Sequence, residues 1–493
     1  MLLGLQKIRK IGDERMKKKV KMVMLLLLLL VPLLTGAFLV FMLHFSEEEE
    51  NAQVKTKDIT MFSAYTEAEA LQNVPVIRTI GAIEEPVEYG EDGYVVNVNG
   101  SSVEEYKAYL KVLDKAGFVK HSDNGEDAME GNVLTSSYTK GNTTLTVSHA
   151  VKKDHTYISA GLNVPLSDHL IYKEEDVKNL SKNSKTSLHL MQLNYTGNSF
   201  VIQLKNGHFI VEDGGTDREA PYLLDYLESL TPEGEKPVID AWFITHPHSD
   251  HCGAVSKIAT TPEYLNRIYV EGFYYYDMSP MMLNYLTLQP GIQDNWNFKH
   301  SYEFFKTTTG ESPKLYRPQF GQKYYFCDIS IDVALTIEQC TRTALDNFDL
   351  NDSSTWLMHH IDGQKFLSTG DSNYASQYTA IFLLDQSYFD VDLVATPHHA
   401  INMYDEFVDY CKADTLLYTS FRAGSIWKDG TWKEALAVNE RMREAVKEYY
   451  HYGDGTVVFT FPYTTGTAKI QPSFDWMYHG GNVKRDNGYM GVE

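Results

Sequence analysis

The chain has 493 residues, 43% hydrophobic and 22% charged, with a formal net charge of −22. That length and balance suit two or three packed domains and exclude a disordered or fibrous chain. The acidic excess argues against non-specific binding to a phosphate backbone, although a net figure leaves room for a local basic groove.

Residues 1–21 carry eight basic and two acidic side chains. Residues 22–45 follow as a Leu-rich run, uncharged from Met22 to Leu43 and interrupted by Pro32, and Glu47 to Glu50 come next. About 20 apolar residues cross a bilayer, so the run predicts a single transmembrane signal anchor. Lys/Arg before it and acid after it place the N-terminus inside and the large domain outside the cell membrane. A cleaved signal peptide is the alternative, but no small-residue cleavage site follows. Met16 is a possible alternative start.

Residues 46–57 read as a linker, and residues 58–165 as a small α+β domain. Ser102 and Glu105 form a capping-box start, with Tyr106, Leu110 and Leu113 at helical spacing and Gly117 as the stop. Ser136–Lys140 and Thr143–Val147 around Gly141-Asn142 predict a hairpin, and Tyr157–Ser159 a further strand. This stretch holds no catalytic constellation. Residues 166–184 are polar and read as a second linker.

The domain expected over 185–475 opens with strands at Asn198–Leu204 and His208–Glu212 around an Asn206-Gly207 turn, ending at Asp213-Gly214-Gly215. A helix is expected from Glu219 to Leu230, then a buried strand from Val238 to Ile244. The turn after it, Thr245 to Gly253, packs His246, His248, Asp250 and His251 into six residues. Two histidines two apart on an extended segment can grip one ion. Asp250 and His251 point elsewhere and can grip a second. Imidazole with carboxylate suits Zn2+, with Mn2+ or Fe as other candidates.

Strand signals follow at Arg267–Val270, then an aromatic segment holding Phe273, Tyr274, Tyr275, Tyr276, Met281, Met282, Tyr285 and Trp296. It reads either as core or as a roof over the site. Farther on come Asn351-Asp352-Ser353-Ser354, a strand from Thr355, Thr369-Gly370-Asp371, and Pro397-His398-His399 after a strand at Asp392–Thr396. Helices at Asp405–Cys411 and Trp432–Tyr449 alternate with strands at Leu416–Tyr418 and Gly455–Phe461. Arg422, Trp427 and Trp432 are candidate substrate contacts, weaker than surface packing, and 476–493 reads as a tail. The four cysteines lack zinc-ribbon spacing, and Cys252 reads as a packing residue. The 33 tyrosines fit either a sugar- or ligand-facing surface or a core.

The H-x-H-x-D-H turn, with the later Asp and His motifs in order, resembles the metallo-β-lactamase superfamily. The likeness covers roughly 185–475. It implies an α/β fold, an αββα sandwich preceded here by a transmembrane helix and a small α+β domain, with two divalent metal ions at one edge. By that resemblance Asp371 bridges the ions. His246 and His248 hold the first, and Asp250, His251 and either His398 or His399 hold the second. Asp250 also orients the attacking water, and Asp213 lies beneath the metals, a simple turn aspartate being the alternative by residue type. A further histidine that many members supply from a G-H-T loop is missing, because His359 and His360 fall in an expected strand. With N-D-S-S, T-G-D and P-H-H, this departure resembles the branch of ComEC-type DNA-uptake proteins and of exported phosphorylcholine esterases. The implied activity is hydrolysis of a small-molecule or cell-surface ester, a phosphoester or phosphodiester first. A lactone, thioester or β-lactam is the alternative, and a non-catalytic surface-binding module the third reading.

Overall fold

A computed structural model describes residues 59–471, apart from 65, 91, 125–127, 179, 181–183, 194–196, 278–293, 295–296, 304–312, 341–349 and 421–432. The basic segment, the expected anchor at 22–45, the first linker and the tail lie outside the described residues. So do Met281, Met282, Tyr285, Trp296, Arg422, Trp427 and Trp432. Among the described residues no helix is long and apolar enough to cross a membrane. The chain divides into Met1–Thr60 and one compact unit, Met61–Glu493.

Among the described residues three sheets form. The first takes β1 (Ala82–Ile83), β2 (Val87–Gly90), β3 (Gly93–Asn99), β4 (Val119–Asp123), β5 (Val133–Lys140), β6 (Thr143–Ala150) and β7 (His155–Leu162). Their order is β1-β3-β7-β6-β5-β4, with β2 on β3, and every pairing is antiparallel. Helix α1 (Val103–Lys115) packs Tyr106, Tyr109 and Leu113 into this sheet's core. It starts where expected: Ser102 Oγ accepts from Glu105 N–H, and the Glu105 carboxylate accepts from Ser102 N–H. Gly117, at φ 86°, follows its end in the left-handed region that glycine enters freely.

The second sheet uses β8 (Ser187–Leu190), β9 (Ser199–Gln203), β10 (Phe209–Asp213), β11 (Val238–Ile244), β12 (Tyr269–Val270), β13 (Gly272–Tyr275) and β14 (Lys314–Tyr316). The third runs consecutively from β15 (Lys323–Phe326) through β16 (Ile329–Leu335), β17 (Trp356–Ile361), β18 (Gln364–Ser368), β19 (Asp390–Ala395) and β20 (Lys412–Tyr418) to β21 (Glu448–His451). The chain then returns to the second sheet, where β22 (Thr456–Thr460) pairs with β8 and with β23 (Lys469–Gln471).

These two sheets face each other across one core. The Phe200 and Phe366 rings meet edge to face at 5.1 Å, and Phe243 meets Tyr324 at 6.0 Å. Strand β11 shows why its sequence is almost wholly apolar. It pairs in parallel with β10 and β13, and it is covered on both faces. Phe243 points into the sandwich. Trp242 lies on the other face, beside Leu223 of α2 (Ala220–Ser229) and Ala254 of α3 (Ser249–Ala259), where all three crowd Gly214.

The aromatic segment departs from the roof reading. Phe273, Tyr274 and Tyr275 form β13 between β11 and β14, and Tyr274 is fully buried. Its hydroxyl stands 2.7 Å from Ser167 Oγ. A parallel strand inside a covered sheet needs apolar bulk on both faces, which is what this run supplies. Two boundaries also move. The strand expected from Arg267 begins at Tyr269, and the helix expected to reach Tyr449 ends at Ala445 because Glu448–His451 pairs with β20.

Candidate metal centre

The site residues stand beyond the C-terminal ends of strands from both sheets. His246, His248, Asp250 and His251 follow β11, Asp371 follows β18, and His398 and His399 follow β19. The sheets are stitched there, as Thr355 N–H donates to Thr245 O at 2.9 Å. After Ile244 the chain leaves the sheet, and His248, still extended, becomes the N-cap residue of α3. Its carbonyl accepts from His251 and Cys252 N–H, which fixes the first helical turn with Asp250 and His251 on it.

Asp371 sits at the centre. Its Oδ1 is 3.1 Å from His251 Nε2. Its Oδ2 is 3.1 Å from His399 Nε2, 3.8 Å from His398 Nε2 and 3.9 Å from His246 Nε2. Asp250 Oδ2 lies 3.1 Å from His399 Nε2 and 3.8 Å from His251 Nε2. His246 Nε2 and His248 Nδ1 are 2.9 Å apart. Two groups result, Asp250–His251–Asp371–His399 and His246–His248–Asp371, each with its ligand atoms within 4.8 Å of one another. Asp371 belongs to both.

Three of the imidazoles, those of His251, His399 and His398, are anchored at the other nitrogen. His251 Nδ1 lies 2.6 Å from Asp213 Oδ2, His399 Nδ1 2.9 Å from Thr419 O, and His398 Nδ1 2.7 Å from Asn373 Oδ1. An Nδ1–H donated to an oxygen leaves a lone pair on Nε2, here turned toward carboxylate oxygens. A cation between them satisfies that opposition. His251 Nε2 is buried and has no well-aligned hydrogen bond although Asp371 Oδ1 is 3.1 Å away, a geometry that suits a ligand atom. The donor set of imidazole and carboxylate therefore fits a divalent metal.

The electrostatics tell the same story in protons. Burial works against a charge on His251, but Asp371, Asp213 and Asp250 outweigh it and hold the imidazole well above its ordinary range. For His399 burial is again outweighed, by Asp371 and Asp250, and the group rises to about 9. His246 is pushed well down by burial and then by His251 and His248. Burial would raise Asp371, yet His251, His399 and His398 hold it well below the usual carboxylate range.

The backbone strains to make this centre. His398, His399 and Ala400 lie at φ 46°, 52° and 66°, three consecutive non-glycine residues in the left-handed region. Each costs about 1–2 kcal/mol. Ordinary extended backbone would send neighbouring side chains to opposite faces, whereas this turn aims both imidazoles at Asp371. The N-D-S-S run supports the same region. Ser354 Oγ accepts from Asp371 N–H, and Asp352 Oδ1 accepts from Asn373 N–H, Ser376 N–H and Ser376 Oγ–H at the start of α4 (Tyr374–Leu383).

Residues 194–313 match the family model described as the metallo-beta-lactamase superfamily. No curated protein matches the chain. Among solved structures, a protein of unknown function from Enterococcus faecalis V583 is 15% identical with a TM-score of 0.25, over 43% of this chain. The matched region spans about half, 49%, of that protein's own length. Zn(2+)-bound PqqB from Methylobacterium extorquens is 10% identical with a TM-score of 0.30, over 52% of this chain and 85% of that one.

The seven residues expected at the site thus come together. His359 and His360 stay in β17, facing Glu212 and Asp332. Cys252 is buried against Pro247 O, and no disulfide joins the four cysteines. The sequence reading missed Thr419 and Asn373, which anchor histidines, and His300, which lines the cleft over the centre. That cleft encloses about 970 Å³, with Arg218 and Lys257 exposed on its rim beside Asp217 and Asp294.

Proposed function

We propose that the chain is a metal-dependent hydrolase that cleaves phosphoesters or phosphodiesters, held at the outer face of the cell membrane by residues 22–45. The observation that carries the hydrolase reading is Asp371, one buried carboxylate shared by two ligand groups. In this reading His246, His248 and Asp371 hold one divalent ion, with His398 in the place of the histidine that the G-H-T loop supplies elsewhere. Asp250, His251, Asp371 and His399 hold the other. Zn2+ heads the candidates, with Mn2+ and Fe after it.

Such ions, when bound, supply Lewis acidity and make water nucleophilic near neutral pH. The chain's own residues do the rest. Asp250, whose low pKa keeps it ionised, is the one centre carboxylate partly open to the cleft, and it accepts a hydrogen bond from the attacking water and orients it. Asp213, Thr419 and Asn373 hold three imidazoles in one tautomer and orientation. Arg218 and Lys257 put two cations on the rim of the cleft within a strongly acidic chain, which favours an anionic ester. The branch of DNA-uptake hydrolases and phosphorylcholine esterases fits that chemistry, and a cell-surface phosphoester suits the acidic exterior better than nucleic acid does.

The test is the full chain loaded with Zn2+ or Mn2+ and offered a chromogenic phosphodiester, a phosphorylcholine ester, a lactone and a cephalosporin. Turnover of the phosphoesters is expected, lost together with bound metal in Asp371→Ala. Turnover of the lactone or cephalosporin alone would overturn the substrate assignment. Full metal occupancy with no turnover would return the chain to a binding module.

A further inference from the structure

Two duties fall on one residue at the start of α3. The first four N–H groups of a helix find no partner inside it, and the N-cap side chain ordinarily serves one of them. Ser102 does so at α1. At α3 the N-cap residue is His248, and its side chain makes no capping bond. Its Nδ1 lies 2.9 Å from His246 Nε2, within the ligand group that these two histidines form with Asp371. A Ser, Thr, Asp or Asn at this position would cap the helix and forfeit the imidazole. The side-chain cap of α3 therefore has to come from another part of the chain.

It comes from the connection between β13 and β14. Ser249 N–H, the first of the helix, donates to Asp294 Oδ2 at 3.2 Å. Asp294 is half-buried and lines the cleft together with Asn297 and His300, and it belongs to neither ligand group. A carboxylate here also faces the positive end of the helix dipole. The turn that it caps carries Asp250 and His251 directly behind His248. Helix ends fray, and fraying at this one would displace three proposed ligands together. An ion binds the ordered turn, so its apparent affinity falls with the fraction of chains in which that turn is ordered.

We infer that Asp294 is a positioning residue of the metal centre: it takes over the capping duty that His248 does not perform and keeps the ligand turn ordered before an ion arrives. The inference rests on the reading of that turn as metal-binding. It makes the β13–β14 connection part of the centre as well as a wall of its cleft.

The test uses the full chain stripped of metal, with Zn2+ as the probe, a competing chelating dye to report affinity, and Asp294→Ala and Asp294→Asn beside the parent. Alanine removes the acceptor, whereas asparagine keeps an oxygen in its place. Asp294→Ala should bind Zn2+ about three- to tenfold more weakly, the scale of a lost N-cap, and Asp294→Asn should stay within about twofold of the parent. Amide hydrogen exchange in the metal-free Asp294→Ala chain should quicken at residues 249–252 and keep the parent's rates in β11 and β18. Asp294→Ala binding Zn2+ as tightly as a metal-binding parent would overturn this inference alone. Equal weakening in Asp294→Asn would overturn it too, because charge and not capping would then be at work. So would exchange quickened throughout the core strands, which is the mark of a general role in the fold. A parent chain that takes up no Zn2+ would overturn the inference and the hydrolase reading together.

Discussion

Replacing Asp213 by Asn changes one atom beneath the metal centre and should weaken metal binding without touching a proposed ligand. Asp213 is fully buried, and its carboxylate accepts four hydrogen bonds. Oδ1 takes Thr245 N–H at 2.8 Å. Oδ2 takes Thr245 Oγ1–H and Asn198 Nδ2–H, both at 2.8 Å, and His251 Nδ1 at 2.6 Å. An amide of the same shape has one acceptor oxygen and one NH2. With the NH2 in the Oδ1 place it faces the Thr245 N–H, and a buried donor is left unpaired at about 1–3 kcal/mol. With the NH2 in the Oδ2 place it faces Asn198 and His251. His251 can then relieve the clash only by moving its proton from Nδ1 to Nε2, which removes the lone pair aimed at Asp371. Asparagine tolerates the φ of 56° at this position, so backbone strain does not cloud the result. Loss of such an outer partner costs about 10–100-fold in metal affinity. Dialysis against graded chelator followed by elemental analysis gives the affinity, and a denaturant melt of the metal-stripped chain gives the stability. Metal affinity within twofold of the parent, with an unchanged melt, would refute the role assigned to Asp213.

Three further outcomes follow from the same coordinates. On the proposed two-ion reading, His398→Ala should lower bound metal per chain below the parent's while the fold persists; a stoichiometry equal to the parent's would remove His398 from the first ligand set. In Gly253→Ala the added Cβ would stand 2.7 Å from Asp217 N and 2.9 Å from Thr216 Cα. That is backbone against backbone at the floor of α3, so a loss of about 1–3 kcal/mol is expected in chemical denaturation. His189 is buried between Ser187 Oγ and Tyr226 OH, and burial lowers its pKa to about 3. Its folded-state value lies below its unfolded value, so the unfolded chain takes up a proton first as pH falls through 6.5. Stability then drains away toward pH 3. Between pH 7 and pH 5 this group alone removes about 2 kcal/mol. A His189→Gln chain should show a pH dependence flatter by that amount in urea melts, and parallel curves would dismiss the argument.

Legibility from the sequence followed contiguity. The Thr245–Gly253 turn announced itself because its four ligand residues are local to one strand end and one helical turn. Asp371 was readable because Gly370, at φ 52° and pressed against Ser354 and Thr245, marks a tight turn off a strand. Asp213 was named as the residue beneath the metals, and the structure gives it His251 as its charge. His398 and His399 could not be told apart from spacing, and the left-handed backbone that turns both inward explains the difficulty. Thr419 and Asn373 left no signal because their roles exist only once β20 and α4 have packed beside β19. For Tyr274 the structure decides between the two readings, core and roof, in favour of core. A run of Phe and Tyr after a metal motif suggests a substrate roof, but a strand flanked by β11 and β14 has two faces to fill.

The centre and its cleft answer to different constraints. Every centre ligand except His248, Asp250 and His398 is buried, and the anchors Asp213, Thr419 and Asn373 are buried as well. The cage is therefore set by the same packing that sets the sandwich, and its geometry is fixed before any substrate arrives. The wall that would choose a substrate is built otherwise. Arg218 projects from a single helical turn, Asp217–Glu219, Lys257 from the last turn of α3, away from its ligand-bearing first turn, and His300 from a segment beyond β13 rather than from either sheet. Side chains of that kind change without disturbing the core. On the proposed function, the metal chemistry and the choice of substrate would then be separable. Charge reversal at Arg218 and Lys257 should shift which esters bind while leaving metal content untouched, and a parallel loss of metal would show that rim and cage are one unit.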